Sequence, residues 1–392
     1  MSDTSRYAQR GVSASKHEVH EAIQGLDKGI FPNAFCKVLP DIVGSDKSYC
    51  NIMHADTAGT KTSLAYIYWR ETGDLSIWKG IVQDAIVMNI DDMACIGCID
   101  NVIISSTIGR NKSLIPGEVI REVIQGNNDF LQRLNSFGLN YQLAGGETAD
   151  VGDIVRTIDV GITAFGRMKR EDVIVTNVQP GQVIVGFSSY GQSSYEENYN
   201  GGMGSNGLTS ARHDVLQKDY LTKYPESFDP SISEELIYSG AKSLTEKIDI
   251  PGVGQTQVGK LILSPTRTYV PLIQAILREH KDAIGSIIHC TGGAQTKVMK
   301  FVQGRKIVKD SLLPRPPLFE LIQEQSGTSR KEMYEVFNMG HRLEIYTDES
   351  TAAELIDIAR SFSIDAKIIG HVQDSESNVL VIKDESGTYT YE

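Results

Sequence analysis

The sequence predicts a two-domain protein of the α+β class. With 392 residues the chain is too long for one ordinary hydrophobic core. Strand-like and helix-like segments are mixed in both halves, and the strand pattern restarts after about residue 170. We therefore expect a first domain at residues 1–170 and a second domain at residues 171–392.

The first half begins its regular pattern with a short strand that runs into a Gly-Thr-Lys turn. Its clearest helix is amphipathic, since apolar residues recur at helical spacing between positions 115 and 131. The elements predicted here, in chain order, are strand 51–56, helices 62–72 and 76–97, strand 102–106, helix 115–137, strand 140–143 ending in Gly145 and Gly146, and strand 158–165.

The second half opens with a turn at Pro180 and Gly181 and has glycine-rich loops at 191–207 and 291–295. Residues 191–204 are rich in Gly, Ser and Asn, which is typical both of a mobile surface loop and of a lid over a ligand. The other elements predicted here are strands 183–187, 343–346, 366–369 and 379–382 and helix 352–362.

Charge and composition exclude several classes of function. The net charge is −12 and the chain has no block of Lys and Arg, so nucleic acid and anionic membranes are not expected partners. The start of the chain is polar, no apolar run reaches membrane-spanning length, and the five cysteines are sparse. We expect a cytoplasmic protein in which Cys95 and Cys98 are small buried helix residues.

Asp56 precedes Lys61 by five residues across a glycine turn. Gly59 allows backbone to approach a ligand, and a lysine at this place can neutralise a phosphate. The segment does not match the P-loop motif. An ordinary strand–turn–helix junction would give the same pattern, so both interpretations stay open at this point.

Carboxylates recur at the ends of other predicted elements. Asp84 and Asp91 are seven residues apart in an apolar helix, about 10.5 Å along one face, where they serve either a ligand or the helix ends. Glu147 follows two glycines at the end of a strand. Together Asp56, Asp92 and Glu147 are the oxygen ligands that Mg²⁺ prefers. No His/Cys cluster has zinc spacing and no G-x-S-x-G motif is present.

Seven segments resemble, in order, the motifs of the phosphoribosylformylglycinamidine cyclo-ligase (aminoimidazole ribonucleotide synthetase) family. They are 56–61 (D-G-x-G-T-K), 91–98 (N-D-L-x-x-x-G-A), 145–149 (G-G-E-T-A), 205–209 (S-N-G-x-S-L), 264–269 (A-P-T-R-x-Y), 289–294 (H-x-T-G-G-G) and 332–340 (E-M-x-x-x-F-N-x-G). Any one motif is weak, but seven in the same order are specific to the superfamily.

The resemblance implies a homodimer in which the first domains pair into a shared β-barrel. It implies a cleft between the two domains that holds ATP and formylglycinamidine ribonucleotide, a small-molecule substrate. The implied reaction is ATP-dependent ring closure to aminoimidazole ribonucleotide, ADP and phosphate in purine biosynthesis.

The resemblance also implies the site residues. Asp56, Asp92 and Glu147 would lie near Mg²⁺–ATP, with Lys61, Asp92 and Glu147 as the catalytic residues. The expected ATP and phosphate contacts are Asp56, Gly59, Thr60, Lys61, Asn206, Thr266, Arg267, Gly292, Gly293 and Asn338. For Arg267, a structural salt bridge is the equal alternative to a phosphate contact.

The chain departs from the family's pattern at several positions. The family's His before S-N-G is Gly204 here, and the second glycine of its F-N-x-G-x-G is Arg342. His213 and His289 are the conceivable substitutes for the missing histidine. These departures leave an alternative open: a catalytically altered nucleotide-binding paralogue, or another ATP-using member such as a thiamine-monophosphate kinase-like enzyme.

Overall fold

The structure is a computed structural model that describes residues 6–12 and 17–392. Residues 1–5 and 13–16, part of the predicted first domain, lie outside the described residues. The strands form a five-stranded sheet, a seven-stranded sheet and a two-stranded hairpin. Helices pack on both large sheets, so the prediction of a two-domain α+β fold is confirmed.

The first sheet has the order β1-β2-β5-β3-β4. All its neighbours are antiparallel except β3 and β4, which are parallel and joined by a helix. Its strands are β1 (Val38–Pro40), β2 (Tyr49–Thr57), β3 (Val102–Arg110), β4 (Tyr141–Asp150) and β5 (Ile158–Lys169).

One face of this sheet is covered by helices. After the short α1 (Arg6–Gln9) and α2 (His17–Ala22), the covering helices are α3 (Lys61–Thr72), α4 (Ile77–Ala94) and α5 (Gly117–Asn135). Helix α4 is buried almost all round because it lies between the sheet, α5 and the second domain. Gly126 of α5 permits close packing, since a Cβ there would lie 2.7 Å from Val82 Cγ1.

The other face of the first sheet is open. Residues of β3 alternate strictly between buried and exposed, as expected when one face is covered and the other is not. Met53, Phe165 and Ile103 pair in register across three strands on the open face. Met53 is 64% exposed and Ile103 is 47% exposed.

The second sheet has the order β14-β13-β10-β12-β6-β11-β9, and only β10 and β13 are parallel. Its strands are β6 (Val183–Ser188), β9 (Ser286–His289), β10 (Arg305–Lys309), β11 (His341–Thr347), β12 (Ala366–Asp374), β13 (Val379–Asp384) and β14 (Gly387–Tyr391). Strand β11 is buried along its whole length.

The remaining elements connect and cover these strands. The hairpin is β7 (Lys247–Ile250) with β8 (Gly254–Gln257). The helices are α6 (Leu208–Val215), α7 (Asp219–Lys223), α8 (Val258–Ile262), α9 (Val270–His280), α10 (Pro317–Ser326), α11 (Arg330–Val336) and α12 (Glu349–Ser361). No helix within residues 6–12 and 17–392 has the length and apolar character needed to cross a membrane.

Two local predictions were wrong. The helix predicted to 97 ends at Ala94, so Cys95 and Cys98 lie in the turn that follows, although both are buried and free. Gly145 and Gly146 do not end their strand, because β4 continues to Asp150 through a register shift beside Ser106. Only glycine fits at 146, where a Cβ would lie 2.0 Å from the Ser106 carbonyl oxygen.

Residues 191–204, for which the sequence left a mobile surface loop and a lid open, are partly buried against the rest of the second domain. Ser193, Asn200 and the glycines at 201, 202 and 204 are buried. The Tyr195 hydroxyl donates to the Thr268 carbonyl oxygen at 2.6 Å, and Asn200 donates to Pro265 at 2.7 Å. The segment is therefore anchored to residues 265–268.

Candidate active site at the seam of the two domains

Several of the motif segments meet where the two domains touch. We define the seam as the contact between β2, α3 and α4 of the first domain and segments 200–209, 264–269, 289–293 and 338–342 of the second. Thr60, which precedes α3, uses its hydroxyl to contact the Thr209 hydroxyl at 2.7 Å rather than to cap the helix. This contact brings the first-domain loop 56–61 against the S-N-G segment.

Lys61 and Asp84 form a fully buried ion pair at the seam. The Lys61 ammonium lies 2.8 Å from Asp84 Oδ1 and donates to the Ser264 carbonyl oxygen at 2.6 Å. Thr266 donates its backbone N–H to the same Asp84 oxygen at 2.7 Å. Burial lowers the pKa of Lys61 and raises that of Asp84, while the ion pair opposes both changes.

The side chains of Lys61 and Thr266 are both bound to Asp84, and neither is open to solvent. A phosphate could reach Lys61 only if the contact with Asp84 were rearranged. The catalytic role of Lys61 and the phosphate contact of Thr266 therefore stay predictions.

Asp91 holds the same second-domain segment at Thr268 and Tyr269, further along the chain than Thr266. Its carboxylate accepts from the Thr268 hydroxyl at 2.6 Å and from the Tyr269 backbone N–H at 3.0 Å. Asp84 and Asp91 share a helix face, as their spacing predicts. Both are used to fix the loop 264–269 on α4, a structural role that differs from the service at the helix ends that the sequence left open.

Asp92, at the end of α4, contacts two histidines. Its Oδ1 lies 2.7 Å from His289 Nδ1, and its Oδ2 lies 3.5 Å from His54 Nε2. On the far side, Arg342 Nε donates to His289 Nε2 at 3.1 Å. His289 must therefore accept at Nε2 and donate from Nδ1 to the carboxylate.

These contacts shift the pKa values of Asp92 and His54, the two residues of this group that border solvent. Burial opposes the charge on Asp92, but bonding to His289 and His54 outweighs it and lowers the pKa of the carboxyl. Burial also opposes a charge on His54, yet its bonds to Asp92 and Asn89 raise the pKa of the imidazole. His54 is about a quarter exposed, so this imidazole can exchange a proton with a bound molecule.

The second-domain residues predicted at the site occupy the facing loops. Asn206 and Gly292 are neighbours, because a Cβ on Gly292 would lie 4.0 Å from Asn206 Nδ2, and both are partly exposed. Gly293 takes the left-handed conformation, with φ +90°, immediately before a 3-10 turn. Asn338 is buried and binds backbone instead: its amide donates to the carbonyl oxygens of Gly202 and Met203.

Arg267 is held in a salt bridge. Its guanidinium contacts both carboxylate oxygens of Glu196 and donates to the carbonyl oxygens of Ser188 and Tyr190. Its side chain is wholly buried. Of the two interpretations of Arg267, the structure therefore contains the salt bridge.

Asp56, Asp92 and Glu147 do not converge within one chain. Asp56 and Glu147 are both exposed but belong to strands three places apart, about 14 Å in the sheet. Asp56 shares its strand row with His54 on the helix side, whereas Glu147 pairs with Thr107 on the open side. No group of three or more His, Cys, Asp or Glu suited to a metal occurs among the described residues. The donor set thus does not fit one Mg²⁺ held by all three carboxylates, and their role as metal ligands stays a prediction.

The histidine proposed as a substitute, His213, is buried in α6. Its ring lies 4.7 Å from that of Tyr238, and burial beside Arg212 and Arg10 lowers its pKa strongly. It is a neutral core residue. His289, the other substitute, does lie at the seam.

No motif in the sequence indicated His54 or Asn89. His54 Nδ1 contacts Asn89 Oδ1 at 2.9 Å, and Asn89 donates to the Asp56 carbonyl oxygen at 3.4 Å. The position of His54 two residues before Asp56, on the same strand face, was the pattern that could have indicated it.

A separate groove of about 970 Å³ lies between α4, α5 and the segment 196–200. It is lined by ion-paired surface residues such as Lys79 with Asp129. None of the residues predicted for the site lines this groove, so the seam is the better candidate.

Comparison with known families matches both domains. The AIR synthase related protein, N-terminal domain, matches residues 36–168, and the AIR synthase related protein, C-terminal domain, matches residues 179–383. Together the two matches cover most of the chain.

Curated relatives carry one name. The phosphoribosylformylglycinamidine cyclo-ligase of Methanocaldococcus jannaschii is 28% identical over 332 residues, covering 83% of this chain and 79% of the relative. The phosphoribosylformylglycinamidine cyclo-ligase of Staphylococcus aureus is 25% identical over 391 residues, covering 95% of this chain and 97% of the relative.

Solved structures share the fold at lower identity. A HypE–HypF complex matches with TM-score 0.57 and 14% identity over 95% of this chain and 98% of the other. AaThiL complexed with AMPPCP and TMP matches with TM-score 0.52 and 12% identity over 96% and 95%. T. maritima PurL complexed with FGAR matches with TM-score 0.53 and 14% identity over 93% of this chain, which spans 47% of the PurL chain.

Proposed function

Because the chain belongs to the AIR synthase related protein family, we propose that it is an ATP-dependent cyclo-ligase that converts formylglycinamidine ribonucleotide to aminoimidazole ribonucleotide. The resemblance drawn from the seven motifs is confirmed at the level of the family. The relatives named as this cyclo-ligase align over most of both chains, which supports the specific activity. The observation that carries the proposal is that six of the seven motif segments, all except 145–149, meet at one seam between the domains.

The proposed reaction has two steps. The formyl amide oxygen of the substrate attacks the γ-phosphorus of ATP, ADP leaves, and an iminophosphate forms. The amidine nitrogen then attacks the former formyl carbon, the carbon–oxygen bond breaks, and phosphate leaves as the ring closes. Phosphorylation is needed because an amide oxygen is otherwise a poor leaving group, and phosphoryl transfer depends mainly on positioning and charge.

The residues at the seam supply positioning and a proton path. Helix α3 begins two residues after the exposed Gly59, where a Cβ would meet no atom within 4 Å, so the backbone of Gly59 is open to a ligand. Asp92 orients His289 and holds the partly exposed His54, which is the group placed to move the proton lost at ring closure. Asn206, Gly292 and Gly293 form the facing wall of the site.

We propose that Mg²⁺ binds to the site together with the nucleotide. Mg²⁺ in nucleotide sites keeps several waters and is bound by one or two carboxylates together with the phosphates. Asp56 is the exposed carboxylate nearest the start of α3 in sequence, and it suits such a limited role. No step is assigned to a site of three carboxylates, because Asp56, Asp92 and Glu147 do not converge.

A homodimer formed through the first sheet is also proposed. The open face carries Met53, Phe165 and Ile103 in one row, and the long strand β4 is an exposed edge. An apolar open face next to an unpaired edge is a surface that soluble proteins usually cover. Pairing of two such sheets would give the shared β-barrel that the resemblance implies.

We also propose that the domain boundary lies near residue 170 and that the protein is cytoplasmic. Strand β5 of the first sheet ends at Lys169 and strand β6 of the second sheet begins at Val183, which supports a division between them. All five cysteines are free thiols, and a reducing compartment keeps them so.

The test is phosphate release from Mg²⁺–ATP, measured with and without formylglycinamidine ribonucleotide, together with a colour assay for the aminoimidazole product. We expect release that depends on the ribonucleotide and equals product formed. The same assay without Mg²⁺ should show little release.

Binding of ATP without formation of the aminoimidazole product would refute the cyclo-ligase proposal. It would favour the alternative of a catalytically altered paralogue, which the departures from the family motif at Gly204 and Arg342 suggest. Release coupled to thiamine monophosphate in place of the ribonucleotide would instead favour the kinase-like alternative.

A further inference from the structure

Arg342 is a buried cation at the seam that has no carboxylate in hydrogen-bond contact among the described residues. It lies on β11 and is 2% exposed. Its Nε donates to His289 Nε2, its Nη2 donates to the Arg267 carbonyl oxygen, and its Cζ lies 5.5 Å from the Tyr269 ring centroid. Its Nη1 is buried and has no hydrogen-bond partner among the described residues.

The surrounding acids do not neutralise this guanidinium by contact. Asp91 is occupied by Thr268 and Tyr269, and Asp92 is occupied by the two histidines. A buried charge without a partner is costly, and a buried donor left unpaired adds to that cost. The Nη1 group therefore lacks an acceptor and can receive an anion once the groups that close it off from solvent move aside.

Gly204 explains how the guanidinium fits. A Cβ on Gly204 would lie 3.1 Å from Arg342 Nη1, so the arginine occupies the space that a side chain at 204 would enter. The family motif has His at the position of Gly204 and Gly at the position of Arg342. In this chain the two positions have exchanged the large side chain and the small one, and they face each other across the site.

We propose that Arg342 is a phosphoryl-binding residue of this site, with Nη1 donating to an oxygen of a bound phosphate. The ligand class is a phosphorylated substrate, either the triphosphate of the nucleotide or the phosphate of the ribonucleotide. The bonds from Nε and Nη2 fix the plane of the guanidinium, so its remaining N–H groups are oriented before the ligand arrives. This inference rests on the proposed function for the identity of the two ligands.

The first experiment compares the chain as it exists with Arg342→Gln and Arg342→Lys. Thermal midpoints are recorded against increasing ATP with Mg²⁺ and, separately, against increasing formylglycinamidine ribonucleotide, and KM and kcat are measured for both. We expect Arg342→Gln to weaken one of the two ligands by about tenfold to a hundredfold, the effect of a lost charged hydrogen bond. Arg342→Lys should recover part of that loss because it keeps the charge.

The second experiment leaves the arginine in place. Gly204→Ala puts a methyl group 3.1 Å from Nη1, at a glycine with φ +70°. The matched control is Gly181→Ala, where φ is +89° and the added Cβ would meet nothing within 4 Å. Gly204→Ala should weaken the same ligand as Arg342→Gln, whereas Gly181→Ala should leave both ligands unchanged.

The outcomes separate the two proposals. Loss confined to ATP assigns Nη1 to the nucleotide, and loss confined to the ribonucleotide assigns it to the substrate phosphate. Unchanged binding of both ligands to a folded Arg342→Gln protein overturns the inference, and if that variant does not fold, unchanged binding to Gly204→Ala does so. A chain that binds these ligands but forms no product refutes the cyclo-ligase function and still tests Arg342. A chain that binds neither refutes both.

Discussion

At the scale of single residues, neighbours decide what each predicted side chain can do. Lys61 and Arg267 are the cations that the motifs indicate for phosphate, yet each is ion-paired in the core, with Asp84 and Glu196. His54, which no motif indicates, borders solvent and contacts Asp92. Sequence spacing identified segments that meet at the seam, but not which side chain in each segment stays free.

His54 gives a prediction about pH. Because its folded pKa is raised above 6.5, its contribution to stability is full below pH 6.5 and is lost as pH rises through the folded pKa. The unsubstituted protein should therefore exceed His54→Gln in thermal midpoint most at pH 5.5–6.5, and the difference should shrink towards pH 8.5. Thermal scans at fixed ionic strength measure it.

Asp92→Asn provides the control for that series. Without the carboxylate, the midpoint advantage of His54 over Gln at low pH should be lost, since the main interaction that raises the pKa is gone while burial, which lowers it, remains. A difference that grows with rising pH in the unsubstituted background would contradict the assignment.

At the scale of elements, buried polar networks hold the site loops in place. Helix α4 fixes the segment 264–269 through Asp84 and Asp91. Strand β11 contributes Glu344, which binds Lys309, His341 and the Tyr346 hydroxyl. Lys309 also donates to Gln295 in the turn after Gly293, so this network supports the wall that Gly292 and Gly293 form.

Glu344→Gln should be strongly destabilising. Burial opposes the charge on Glu344, but Lys309 and His341 outweigh it and lower its pKa to about 2, so the carboxylate is ionised at neutral pH. Removing it leaves Lys309 as a buried charge without its partner, at about 3–5 kcal/mol. Urea unfolding measures the loss, and Glu279→Gln, at an exposed glutamate of α9, should change stability by less than about 0.5 kcal/mol.

A second element-scale feature is the segment 216–257 of the second domain. It packs on α3 of the first domain: Tyr66 donates to Glu226 at 2.6 Å and Tyr68 donates to Gln257 at 2.6 Å. Tyr220, Tyr224 and Tyr238 form an aromatic cluster beside it. The segment 216–257 therefore joins the two domains next to the seam.

At the scale of the whole molecule, a single chain leaves the apolar residues on the open face of the first sheet uncovered. Its central apolar row is Met53, Phe165 and Ile103, and the proposed partner is a second copy of the chain.

Ile103→Lys should convert the dimer to monomer, since a charge in the middle of an apolar interface is costly to bury. The matched control is Ile124→Lys, because Ile124 is also 47% exposed but lies on α5 at the opposite face of the sheet. Mass measured by light scattering after size-exclusion chromatography distinguishes them. A monomeric unsubstituted protein, or dissociation by both substitutions equally, would refute pairing through this sheet.

The sequence by itself determined the fold class, the family and the segments that meet at the seam. These follow from apolar periodicity and motif order, which are local properties of the chain. Only the tertiary structure decided that Asp84 and Asp91 bind the loop 264–269 and that Asp56 and Glu147 lie on different faces of a sheet. It also showed that Arg342 fills the space beside Gly204. Such partners are distant in sequence, so the contact between domains, rather than spacing along the chain, selects which charges are paired and which remain free for a ligand.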